Sequence, residues 1–101
     1  MLVLPIKKVW FDMIKSGIKK EEYRDIKPYY TTRFKKLWGD NLEDNNKEVD
    51  ILFRNGYSNN SPSFVARCSI CVKEGNPNWG AIEGTKYYTL KIKEILNENS
   101  K

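Results

Sequence analysis

Apolar and polar positions along the chain change period several times, and each change marks an element. Residues 2–6 form a short apolar run with β-forming side chains, punctuated by Pro5 and ended by Lys7, which suits a buried strand. Over residues 7–16 the period becomes helical. Val9, Trp10, Met13 and Ile14 share one face, Lys8, Asp12 and Lys15 lie opposite, and Gly17 follows as a C-cap. The next segment, KKEEYRDI, offers few apolar residues to a core. As a strand it sets Glu22, Arg24 and Ile26 on one face and Glu21, Tyr23 and Asp25 on the other. A charged strand face in so small a chain is either an exposed edge or a working surface.

Pro28 suits a helix start, and Tyr30, Phe34, Leu37 and Trp38 follow at helical spacing with Arg33, Lys35 and Lys36 solvated and Gly39 closing the helix. Residues 40–47 read as an acidic, Asn-rich loop, mobile and tolerant of change. A third strand is expected over 49–53, ending in the turn-rich RNGYSNNSP. Residues 63–72 alternate, with Phe64, Ala66, Cys68, Ile70 and Val72 on one face. GNPNWGAIEG is a second loop punctuated by Gly and Pro and carrying Trp79. The last strand covers 87–96, with Tyr88, Leu90 and Ile92 inward and Thr89, Lys91 and Lys93 outward, and 97–101 is expected to fray. Strand, helix, strand, helix and three strands predict an α+β chain. The expected form is a small, mostly antiparallel five-stranded β-barrel with two short helices at its side or mouth, residues 1–96 being a single domain.

Charge sharpens this picture. The net charge is +5 but unevenly spread: residues 1–38 hold ten Lys or Arg against four Asp or Glu, and residues 39–50 hold five acids against Lys47. A basic N-terminal half attracts phosphates; the plainer alternative is a set of solvated lysines. No apolar run approaches the roughly 20 residues that span a bilayer. The opening MLVLPIKK reads as a strand and not as a secretory signal, so a cytoplasmic protein is the default, and a monomer with it. Cys68 and Cys71 form a C-x-x-C, but the chain has no second pair and no histidine to complete a zinc site. In an alternating strand their odd spacing turns the thiols to opposite faces, so they read as two ordinary thiols in a strand. No metal and no organic cofactor is implied.

The segment SGIKKEEYR contains G-x-K-x-x-E-x-R, with Gly17, Lys19, Glu22 and Arg24 directly after a strand and an amphipathic helix. This resembles the signature of the ASCH family, PUA-like barrels that carry the motif at the mouth of a cleft. LPIKKVWFDMIKSGIKKEEYRDIKPYY, FRNGYSNNSPSFVA and NPNWGAIEGTKYYTLKI look like a phage- or bacterium-associated subgroup, so the likeness covers nearly the whole chain except the acidic loop and the tail. The residue types suit such a cleft. Lys19 is a compact charge for phosphate, and Arg24 is a planar fork for phosphate or a base edge. Glu22 would hold that guanidinium or accept from an exocyclic amine; the plainer alternative is a surface ion pair worth under about 1 kcal/mol.

Three further features are candidates for the same mouth. Arg54, Asn55, Tyr57 and Ser58 leave a strand at an Asn-Gly turn, either as a simple hairpin or as cleft residues with Tyr57 as a stacking platform. Trp79 is either tucked onto the barrel or stacked on a base. Tyr29 and Tyr30 follow the motif strand and are placed to line the opening.

The expected function is therefore binding of single-stranded nucleic acid, RNA foremost, or of a nucleotide, through Lys19, Glu22, Arg24, Tyr30, Arg54, Asn55, Tyr57, Ser58 and Trp79. The resemblance implies an alternative, a hydrolase with Lys19 and Glu22 as catalytic residues. It would be a ribonuclease or an amidohydrolase of acetylated cytidine, although Glu22 stands where those amidohydrolases carry a threonine. A second alternative is a phage-encoded protein-interaction module using the acidic 40–48 segment.

Overall fold

A computed structural model of the protein describes the backbone of residues 1–99 and the side chains through Leu96. The elements are β1 (Val3–Ile6), α1 (Lys8–Lys15), β2 (Glu21–Arg24), α2 (Pro28–Trp38), β3 (Asp44–Asn55), β4 (Ser63–Glu74) and β5 (Lys86–Asn99), with a 3-10 turn at Pro77–Trp79 between β4 and β5. They form one five-stranded sheet in the order β1-β3-β4-β5-β2. Three of its pairings are antiparallel and β1 pairs with β3 in parallel. Parallel neighbours need a crossover, and α1, β2 and α2 supply it.

The expected closed, mostly antiparallel barrel is therefore corrected to an open, mixed sheet curled into a half-barrel. Its two edges, β1 and β2, approach closely enough for the Arg24 Nη2 of β2 to donate to the Pro5 carbonyl of β1 at 3.0 Å. One guanidinium thus clasps the gap that strand pairing leaves open.

Both helices pack on the inner face. In α1 the buried residues are Phe11 and Ile14, and the Phe11 ring lies 4.9 Å from that of Phe64 on β4. The expected apolar stripe is thus rotated, since Val9 is 53 % exposed and Trp10 and Met13 are half-buried. The physical reason is that Phe11 and Ile14 turn towards the sheet, which carries Val9 away from it. In α2 the expected stripe holds: Phe34 and Trp38 are buried, with the Phe34 ring 5.5 Å from that of Tyr88. Gly39 ends α2 at a φ of 87°, a conformation open to glycine at little cost. Facing rows such as Leu4, Phe53 and Phe64, or Ile51 and Ala66, fill the space beneath.

The acidic segment departs from its reading as a mobile loop. Leu42 is buried, β3 begins at Asp44, and a bulge lies between Asn45 and Val49. The Asn45 amide donates to the carbonyls of Trp38 and Asn41, while the Trp38 indole donates to the Lys47 carbonyl at 2.8 Å. Polar side chains pin this stretch, which is why apolar periodicity alone did not reveal a strand. The outer sheet face is also covered: Thr89, expected to point outward, is fully buried there with Ser69, Cys71 is buried beside them, and the Tyr23 and Tyr87 rings sit 5.6 Å apart. Cys68 and Cys71 are both free and buried. β2 stops at Arg24, leaving Ile26 beyond the strand and 49 % exposed. By its backbone β5 continues to Asn99, pairing with β4 as far as Ser63. The expected fraying of Ser100 and Lys101 lies outside the described residues. Among the described residues no helix is long and apolar enough to cross a membrane.

Candidate functional site

Gly17, at a φ of 86°, ends α1 and sends the chain back towards β2. The turn is fixed by the Lys19 amide donating to the Met13 carbonyl at 2.9 Å. The Lys19 side chain is then enclosed, with 1 % exposure. Its Nζ donates to the Trp79 carbonyl at 2.7 Å and lies 3.2 Å from Glu22 Oε1. It also sits 5.0 Å and 4.9 Å from the ring centres of Trp10 and Tyr23, within cation–π range. Burial holds the Lys19 ammonium below its ordinary pKa, and the Glu22 carboxylate offsets part of that shift.

Glu22 and Arg24 occupy alternate positions of β2 opposite Leu90 and Tyr88, and so face inward. Glu22 is 7 % exposed and bridges two cations, with Oε2 accepting from Arg24 Nη2 at 2.8 Å. Arg24 Nη1 reaches the Tyr30 hydroxyl at 3.4 Å, and the guanidinium lies 5.8 Å from the Tyr30 ring centre. Its Nε is buried without a hydrogen-bond partner among the described residues. Lys19, Glu22 and Arg24 thus make a +, −, + chain with one net positive charge.

This chain forms the floor of a cleft. One chamber of about 460 Å³ has Glu22 and Arg24 below, Pro5, Ile6 and Lys7 along one wall, Trp10 of α1 beside them, and Asn55, Gly56 and Tyr57 from the β3–β4 turn. A second chamber of about 530 Å³ shares Pro5, Arg24 and Tyr57 with the first and adds Lys27, Pro28, Tyr29 and Tyr30. The aromatic wall of the second chamber is braced. Tyr29 meets Tyr30 edge-on at 5.0 Å, and the Arg33 guanidinium lies 3.6 Å from the Tyr29 ring centre. Comparison with protein-family models, with curated proteins and with solved structures finds no match.

Of the residues expected from sequence, Glu22, Arg24, Tyr30, Asn55 and Tyr57 come together around these chambers. Four do not line them. Lys19 lies behind Glu22, with its charge spent on the protein's own groups. Arg54 follows the inward Phe53 on β3, so strand alternation turns it to the other face and Asn55 back inward. Ser58 holds the turn, its hydroxyl accepting from the Asn60 amide at 3.1 Å. Trp79 contributes its backbone carbonyl to Lys19 and leaves its ring outside the cleft.

Sequence reasoning assigned Trp10 to the core and did not single out Pro5, Lys7 or Lys27. The available signal for Trp10 was its position at the border of the apolar stripe, two turns before Gly17. In the fold, its ring is the surface against which Gly80 of the β4–β5 loop packs; a Cβ there would fall 2.9 Å from the ring.

Proposed function

We propose that the protein is an ASCH-like binding module of the cytoplasm whose cleft takes an unpaired nucleotide of single-stranded RNA. The observation that carries this reading is the pairing of Glu22 with Arg24 on the floor of an open chamber walled by Trp10 and Tyr57. A carboxylate accepts from the amino or imino N–H groups of a base, a guanidinium donates to its carbonyls or to phosphate, and rings supply stacking faces. The net positive floor and the neighbouring Lys7 suit a polyanion. Lys19 serves as a positioning residue that holds Glu22 and does not itself touch the ligand. The hydrolytic alternative draws no support from that enclosed ammonium. The interaction alternative draws none from the acidic segment, much of which is committed to β3.

The test is fluorescence anisotropy with short labelled single-stranded RNA and DNA across a salt series. Wild type is expected to bind with an affinity that falls as salt rises. Tyr57→Ala, at a side chain 88 % exposed, is expected to weaken binding about tenfold, the loss of one stacked ring. Arg24→Ala is expected to abolish it, with a circular-dichroism melt run alongside to confirm folding. Absence of binding at low salt, or undiminished binding by Tyr57→Ala and a folded Arg24→Ala, would sink the assignment.

A further inference from the structure

Two chambers meeting at one arginine are more than a single nucleotide needs. Each falls within the roughly 300–1,000 Å³ that accommodates one small ligand, so one nucleotide fills one chamber and leaves the other empty. Their chemistry also differs. The first sets the Glu22 carboxylate, which accepts from base N–H groups, beside Arg24 and Lys7, and holds the Asn55 amide, which donates and accepts as a base edge does. Among the described residues, the second is lined by the cations Arg24 and Lys27 and by no carboxylate. Lys27 pairs with Asp25 at 3.9 Å with both side chains more than half exposed, a weak pairing that phosphate can displace. Each chamber has its own aromatic surface, Trp10 in the first and the braced Tyr29 in the second, and Tyr57 stands at their junction.

We infer that the cleft accommodates two consecutive nucleotides, a base over Glu22 and Asn55 in the first chamber and its neighbour on Tyr29 in the second, with the linking phosphate between Arg24 and Lys27. This deepens the proposed function and rests on it. Arg24 belongs to both chambers, and its Nη1 carries two hydrogens, of which the 3.4 Å contact with Tyr30 occupies one. The bracing of Tyr29 by Arg33 and Tyr30 lowers the ordering cost of stacking on it. The ligand class is therefore a single strand, and a free mononucleotide is an incomplete occupant.

Competition against a short labelled RNA strand by unlabelled nucleoside monophosphates, dinucleotides and tetranucleotides reads this directly. Dinucleotides are expected to compete about tenfold better than monophosphates, as one added stacked base and one phosphate contact predict, and tetranucleotides little better than dinucleotides. Tyr29 and Lys27 are largely exposed, so their replacement leaves the core intact. In Tyr29→Ala/Lys27→Ala the di-to-mononucleotide ratio is expected to fall to about one. In Asn55→Ala both affinities are expected to fall together with the ratio preserved. Lys27→Ala alone is expected to lower the log–log salt slope by about one. Equal competition by mono- and dinucleotides, or a ratio that survives the double variant, would overturn the two-nucleotide assignment while leaving the single-base reading standing. Failure of wild type to bind any labelled strand would instead overturn the base-binding reading, and this inference with it.

Discussion

Lys19 and Arg24 carry the same charge and pair with the same carboxylate, Glu22, yet their surroundings give them different work. Lys19 is closed in by Trp10, Tyr23, Glu22 and the Trp79 carbonyl, so its replacement leaves that carbonyl without its donor and Glu22 with Arg24 as its remaining cation. Lys19→Met is expected to cost about 2–4 kcal/mol of unfolding free energy in urea, since it removes a charged hydrogen bond and one of the two cations that pair with the buried Glu22 carboxylate. Its effect on ligand affinity per folded molecule should be smaller than that of Arg24→Ala. Arg24 lies at the cleft and also clasps Pro5, so its loss acts on binding and on the β1–β2 approach together. The double variant Lys19→Met/Arg24→Met should be more destabilised than the two single losses added, because each single variant leaves Glu22 one cation and only the double strands its buried carboxylate.

Two short connections decide where the cleft walls stand. In the β4–β5 loop, Gly80 has a φ of 97° and its backbone rests on the Trp10 ring. A side chain there meets both a strained conformation and an occupied space, so Gly80→Ala is expected to destabilise by about 1–3 kcal/mol. It should also disturb the first chamber by displacing Trp10, which a change in indole fluorescence would report. Preserved stability and an unchanged emission spectrum would contradict this packing role. At the other connection, Asn45 ties the start of β3 to the end of α2 through two carbonyls. Asn45→Ala is expected to cost about 1–2 kcal/mol, measurable by chemical denaturation, with little effect on binding because the bulge lies away from the cleft residues.

Across the molecule, buried ionisable groups set the alkaline limit of stability. Cys68 is fully buried in the core, and burial pushes its thiol from 9.0 up to about 12. The unfolded chain therefore loses this proton first, so the contribution of Cys68 is complete below pH 9 and is lost as pH rises towards 12. Lys19 acts in the opposite sense, since burial lowers its pKa and the unfolded chain holds that proton more tightly up to 10.5. The difference in unfolding free energy between wild type and Cys68→Ala isolates the thiol: it should shrink as pH is raised from 8 to 11. A difference independent of pH over that range would show that the thiol does not titrate on unfolding.

Local chemistry determined a good part of this protein. Pro28 and Gly39 bracket α2, the alternation of Phe64, Ala66, Cys68 and Ile70 defines the inner face of β4, and Gly17 ends α1. The same alternation placed Glu22 and Arg24 on one face, because a two-residue period is a property of the strand itself. Asn55 and Tyr57 were legible for a similar reason, since an Asn-Gly turn marks where a strand ends. What the chain's period does not encode is which strands become neighbours. The parallel pairing of β1 with β3, the open edge between β1 and β2, and the clasp across it arise from the crossover and the curl of the sheet. Burial is equally non-local: only the approach of Trp10, Tyr23 and the Trp79 carbonyl turns Lys19 from an expected phosphate ligand into an internal support. The division has one physical basis. Turn and alternation chemistry acts over a few bonds, whereas desolvation and charge pairing depend on groups that the fold brings together from distant positions in the chain.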